Sequence, residues 1–238
     1  MTRVKLALLG AVVGMMGVSA QAAPISALTA DYFVLAPGHV DVNKGIDGGI
    51  VTGLVASMLG ADGLPVYTGK IAPASGTIGD VNGSNEIQWW TVHSSVTALS
   101  SGTAAIPYDQ DLFPSGGYDG SNGYESAHLS GSFVAPGSGN VTLNLGSDDD
   151  GWVFVDGKLA VDDGGIHAVE TAPTVVTGLD AGTHRIDVFF ADRHVVGSHL
   201  SFSADTSFTP VPVPEPASMA VLAAGLLGLG LVRRRSRG

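Results

Sequence analysis

Apolar and polar residues alternate with a period of two through much of the second half of the chain. Val141, Leu143 and Leu145 point one way while Thr142 and Asn144 point the other. Ile186, Val188 and Phe190 repeat the pattern, as do Leu200 and Phe202. Such alternation is the mark of a strand with one buried face. Two apolar runs, Trp152–Val155 and Leu159–Val161, flank Asp156-Gly157, a two-residue hairpin signal of the type I′ class. Trp152 and Phe154 alternate with Val153 and Val155, so either pair can face the core, with Trp152 the stronger candidate for packing. Glu86–Val92 reads as a further strand, whereas Gly49–Leu59 fits a helix or a buried strand equally well. Segments 72–85 and 100–123, rich in Gly, Ser, Asn and Asp, read as long surface loops. With 34 glycines and 12 prolines in 238 residues, turns are frequent. Many short strands between regular turns predict an all-β fold, an antiparallel β-sandwich of jelly-roll character.

Two apolar stretches break this rhythm, one at each end. Arg3 and Lys5 precede Leu6–Val18, and Ala20-Gln21-Ala22 forms a small-residue cleavage site. Residues 1–22 therefore read as a signal peptide whose helix lies outside the fold. At the other end Ala217–Val232 carries no charge and is followed by Arg233, Arg234, Arg235 and Arg237. Its sixteen residues would reach roughly 24 Å as a helix, a little short of a bilayer core. The arginines favour the cytoplasmic side, which leaves the rest of the chain outside the inner membrane. Pro210, Pro212, Pro214 and Pro216 make residues 210–216 a stiff neck that cannot be helical. The Pro214-Glu215-Pro216 motif, short apolar segment (217–238 with its arginines) and basic end resemble the PEP-CTERM sorting tail. That resemblance implies transient inner-membrane anchoring, cleavage by an exosortase-type enzyme, and release to the cell surface or extracellular matrix.

Between these ends lies one domain, residues 23–209, long enough for a real core. Removing the tails takes Lys plus Arg from 11 to about 5 and Asp plus Glu from 22 to about 21, leaving a formal charge near −16. A surface so acidic repels nucleic acid and attracts cations. There are no cysteines, so an exported domain must hold together without disulfides.

The densest chemistry lies between Asp148 and His167. Asp148, Asp149 and Asp150 are adjacent, and Asp162 and Asp163 follow before Gly164-Gly165-Ile166-His167. Three neighbouring carboxylates repel one another by about 1 kcal/mol or more per close pair. Only Lys158, Arg185 and Arg193 are near in sequence. An oxygen-only cluster suits calcium, although the spacing is not that of an EF-hand. The same residues are also favoured in tight turns for local hydrogen-bonding reasons.

The block from Asp148 to His167, with Ile186–Ser198 after it, resembles the fibro-slime domain. Weaker likenesses precede it: His39-Val40-Asp41 resembles an HPD element, Gly53–Tyr67 a second block, and Trp89-Trp90 and Leu112-Phe113-Pro114 follow in order. Departures include the lack of cysteine, Val42 where an aromatic is usual, and Asp163 where an apolar residue is usual. The resemblance implies a sandwich of the protective-antigen type, used also by yeast flocculin lectins. In those lectins an Asp–Asp pair, often joined by a cis peptide, holds calcium that contacts sugar hydroxyls. Carried over, the pair is Asp148 with Asp149 or Asp149 with Asp150.

The expected calcium ligands are therefore Asp148, Asp149, Asp150, Asp162 and Asp163. Expected ligand contacts are Trp89 or Trp90, of which a strand would turn one outward for stacking, with Asp119, Asn122 and His167. His167 serves equally well as a hydrogen-bonding cap on its loop. Asp192 and Arg193 are expected to form a structural ion pair or to tie the acidic loop down. No Gly-x-Ser-x-Gly elbow, His-Glu-x-x-His helix, phosphate loop or cysteine nucleophile is present, so the reading is non-catalytic. It is a calcium-dependent polysaccharide-binding or adhesion module of the surface or matrix, with exopolysaccharide as partner. A purely structural matrix protein is the alternative and a secreted glycoside hydrolase a remote one.

Overall fold

A computed structural model describes residues 26–113 and 121–211. The signal peptide, the neck beyond Val211, the Pro214-Glu215-Pro216 motif, the apolar tail and Asp119 lie outside the described residues. Among the described residues there are eleven strands: β1 (Ala27–Leu35), β2 (Val96–Ala105), β3 (Tyr108–Asp111), β4 (Tyr124–Val134), β5 (Val141–Asp148), β6 (Asp150–Val155), β7 (Lys158–Asp163), β8 (Glu170–Val176), β9 (Thr183–Ala191), β10 (His199–Ala204) and β11 (Phe208–Pro210). They form two sheets with antiparallel pairing throughout. One runs β2-β1-β4-β9-β6-β7 with β11 beside β4, and the other runs β3-β10-β5-β8.

The alternating residues do what their period requires. Leu143, Leu145, Val153, Val155, Ile186, Val188, Phe190, Leu200 and Phe202 meet between the sheets and form one core. The hairpin at Asp156-Gly157 also forms, with φ of 50° and 75°, the double left-handed geometry of a type I′ turn.

A second core lies on the opposite face of the large sheet. Trp152, Phe154, Phe189 and Ala191 point away from the first core and are covered by residues 36–95, which contribute Leu54, Ile87, Trp89 and Trp90. Strands β6 and β9 are thus buried on both faces, and the choice between Trp152/Phe154 and Val153/Val155 disappears because each pair has its own core.

The covering segment has turns and isolated bridges in place of regular strands. Gly49–Leu59 is neither helix nor strand, and Glu86–Val92 pairs only at Glu86 and Ile87 before turning at Trp89-Trp90. Buried and half-buried carboxylates stitch this irregular backbone together, since its donors cannot find ladder partners. Asp41 accepts the amides of Gly79 (2.6 Å) and Asp80 (2.9 Å) and the indole N–H of Trp89 (2.9 Å). Asp47 accepts the amides of Ala74, Ser75 and Ile166, and Glu86 accepts those of Asp62 and the Asn82 side chain.

Two boundaries differ from the sequence reading. Residues 100–105 and 108–111 belong to strands β2 and β3. Pro210 is the last residue of β11, where a strand tolerates proline because no further ladder donor is needed.

Candidate functional site

The acidic residues gather at one end of the sandwich, where β5 passes into β6. Hydrogen bonding of β6 to β9 and of β5 to β10 places Asp148 beside His199 and Asp150 beside Ala191. The Asp148–Asp149 peptide is cis. Asp148 is half-buried, while Asp149 and Asp150 are buried.

One guanidinium serves this group. Arg193, only 1% exposed, donates Nε–H to Asp150 Oδ2 at 2.5 Å, and its backbone N–H reaches Asp149 Oδ2 at 2.8 Å. Asp150 Oδ1 accepts the Gly165 amide at 2.7 Å. Asp150 is thereby committed to the fold. The pairing holds the Arg193 guanidinium, despite its burial, firmly protonated. Its Cζ lies 5.1 Å from the centroid of the Trp89 ring, a cation–π contact between the acidic end and the second core. Arg193 does tie the acidic segment down, but through Asp150. Asp192 accepts the His194 amide at 3.0 Å.

The same period separates Asp162 from Asp163. Asp162 accepts Gly53 N–H (2.7 Å) and the Trp152 indole N–H (3.0 Å), on the side of the covering segment. Asp163 turns to the other face and accepts the hydroxyl of Ser147 at 2.7 Å. Asp162 is therefore directed away from the Asp148–Asp149 pair.

Burial first, and then the neighbouring carboxylates Asp150 and Asp148, push the Asp149 carboxyl up to about 7 against the pull of Arg193. Burial also raises Asp148, although Asp149 and His167 draw it back. His167 is buried, with Nδ1 against the Ala168 carbonyl (2.9 Å) and Nε2 3.8 Å from an Asp163 oxygen. Its pKa is raised by these acceptors in spite of burial, and its contacts are those of a loop cap.

Val195 and Val196, both exposed, lead into Gly197, which lies against Asp148. Gly197 sits there with φ +80°, and a Cβ on it would lie 2.4 Å from Asp148 Oδ2. Only glycine leaves that oxygen clear. An open cavity of about 550 Å³ adjoins, lined by Asp111, Phe113, Asp148, Val169, Ser198 and His199.

Neither tryptophan is available for stacking. Trp89 is 0% and Trp90 5% exposed, because a turn, unlike a strand, lets adjacent side chains enter one core. Their indole N–H groups are used by Asp41 and the Phe190 carbonyl. Asn122 is exposed in a turn. The sequence reading missed Gly197 and the Asp41 pin; the His39-Val40-Asp41 element was the one sign of the latter.

Protein psiD of Dictyostelium discoideum is 31% identical over 193 residues, covering 68% of this chain and 37% of psiD. Protein psiE of the same organism is 37% identical over 73 residues, covering 29% of this chain and 15% of psiE. The chain thus spans well under half the length of these relatives. Among solved structures, a PA14 sugar-binding domain from an RTX adhesin is similar with a TM-score of 0.38 and 14% identity, over 78% of this chain and 94% of that one. Residues 109–209, from within β3 to within β11 and including the whole acidic end, match the PA14 domain, and residues 212–235 match the PEP-CTERM protein-sorting motif.

Proposed function

We propose that this chain is an exported, non-catalytic surface or matrix protein whose sandwich binds polysaccharide through a calcium ion held by Asp148 and Asp149. The observation that carries the reading is a charge deficit at a sterically kept opening. Three adjacent carboxylates share one guanidinium, whose Nε–H bonds Asp150 while both its Nη groups stay buried without a hydrogen-bond partner among the described residues. Asp148 and Asp149 are left raised, Asp148 lining a cavity where a Cβ at position 197 would run into its carboxylate and Asp149 buried behind it. The donors fit the ion: carboxylate oxygens on a loop suit calcium, which tolerates irregular coordination. Calcium would neutralise the pair and present a Lewis-acidic face on which vicinal sugar hydroxyls can replace water. The rest falls to the chain's own groups. Arg193 holds Asp149 and Asp150 in place, Gly197 leaves Asp148 accessible, and the Val195-Val196 edge offers apolar contact to a sugar ring. The PA14 match supports sugar binding, and the PEP-CTERM match supports an exosortase-type enzyme as processing partner and an extracellular destination.

Thermal unfolding in millimolar calcium and in excess chelator tests the metal. An ion at 100 times its dissociation constant adds about 2.7 kcal/mol, a shift of several degrees at this size. Asp149→Asn should abolish that shift and, with it, retention on an immobilised acid-free polysaccharide. A calcium shift without retention of any polysaccharide would favour a structural matrix protein; no shift at all would remove the metal.

A further inference from the structure

A second cluster of ligating side chains lies in the covering segment, apart from the acidic end. His39 Nε2 and His93 Nε2 both approach the same oxygen of Asp80, at 2.8 and 3.1 Å. One ligand atom from each residue lies within 4.8 Å of the others. The side chains are 0% (His39), 17% (Asp80) and 29% (His93) exposed, so the group is sealed on one side and open to solvent on the other. Each member is fixed from behind. The His39 amide donates to the Ala36 carbonyl (2.8 Å), the Asp80 amide is held by Asp41, and His93 forms a bridge with Val96. Although burial alone would raise it, the two imidazoles hold the Asp80 carboxyl below the ordinary range, so it is ionised at neutral pH.

We propose that His39, Asp80 and His93 form a centre for a divalent transition ion of borderline softness, with zinc as its representative. Two imidazole nitrogens and one carboxylate oxygen, with the remaining positions open to solvent, suit zinc, cobalt or iron and not the all-oxygen preference of calcium. The proton balance sets the affinity. Without metal, Nδ1 of His39 accepts the Asp41 amide at 3.2 Å and Nδ1 of His93 accepts the Ser95 amide at 3.4 Å. Both rings then carry their proton on Nε2 and donate it to Asp80. A metal takes the Nε2 lone pairs, so each proton moves to Nδ1. At His93 the Ser95 hydroxyl, also 3.4 Å away, is a ready acceptor. At His39 the Asp41 amide must give up its acceptor, a bond already at the long end of the range. The centre therefore binds less tightly than one whose imidazoles need no such change of tautomer.

Cobalt(II) titration of the untagged full chain, followed through the visible d–d absorption, tests this directly. One equivalent should produce the band, and zinc but not calcium should bleach it. His93→Ala, at the exposed corner, should weaken binding at least tenfold while the far-ultraviolet circular dichroism stays native; Asp80→Asn gives a second, near-isosteric check. Asp149→Asn should leave the band unchanged. No band, an undiminished band in both His93→Ala and Asp80→Asn, or loss of the band in Asp149→Asn would each overturn the proposal.

Discussion

Arg193 carries more of this structure than its position just after β9 suggests. It is a cation with 1% exposure, bonded to Asp150 on one side and stacked over Trp89 on the other. Removing one partner of a buried pair strands the other charge, which costs about 3–5 kcal/mol. Arg193→Met should therefore destabilise by about that much in urea denaturation. Adding Asp150→Leu should recover a large part, since a buried pair replaced by apolar residues is often neutral. A double variant no better than Arg193→Met would mean that Arg193 acts through Trp89 and not through Asp150. Residue chemistry was legible in the sequence where it depended on neighbours: the acidic run, its shortage of cations and the tethering role of Arg193 were all readable. Which oxygen meets which donor was not, because strand period sends Asp162 and Asp163 to opposite sides, and the register of β7 on β6 decides which side is which.

Elements were readable in proportion to how regularly they bury one face. The β6–β7 hairpin and the inward residues of β5, β9 and β10 follow directly from alternation and from Asp156-Gly157. Strand β2 does not. It sits at the sheet edge with most of its residues exposed, so Ser100, Ser101, Gly102 and Thr103 carry no buried period. The covering segment was unreadable for the opposite reason. Its order comes from Asp41, Asp47 and Glu86 binding distant amides, and no local pattern records such bonds. The Trp89-Trp90 turn is the consequential case. As core residues they are structural, so Trp89→Ala should cost about 3–5 kcal/mol, measurable as a lowered urea midpoint. At temperatures where the variant remains folded, polysaccharide retention should persist; its loss there would restore a direct contact role for this ring.

For the molecule as a whole, two sets of carboxylates pull in opposite directions as pH changes. Asp47, Asp80, Glu86, Asp156 and Asp187 are held low by hydrogen bonds and neighbouring cations, although burial alone would raise them. Their contribution is present above the ordinary carboxylate range, about 4, and is lost as pH falls through their lowered values. Asp148, Asp149, Asp162 and Asp163 are raised, chiefly by burial. For these the folded state holds the proton more tightly, so their contribution is complete below about pH 4 and is lost as pH rises, for Asp149 through about 7. Metal-free protein should therefore be most stable between about pH 4 and 5 and weaken towards neutrality. Calcium, by taking up the ionised pair, should flatten the neutral limb. Melting temperatures measured from pH 3 to 8 with chelator and with calcium check this; metal-free protein that is more stable at pH 7 than at pH 5 would contradict it.

The three-residue strand β11 has a mechanical meaning. It pairs with β4 from Phe208↔Phe133 to Pro210↔Gly131, so it runs towards the acidic end and stops partway. The last described carbonyl, that of Val211, is held by the Thr29 hydroxyl at 2.6 Å. When the chain is held by its C-terminal side and loaded at Asp148, the force at Val211 points back against the direction of β11. The strand is then peeled one pair at a time, a geometry that yields at low force, and is not sheared along its length. First to part is the Thr29 bond, next Pro210, which has no N–H to hold it, and only then Phe208, whose ring sits in the core between the sheets. A tethered copy would thus pay out a few residues of slack before any strain reached β4, a short compliant link between a rigid head and its attachment.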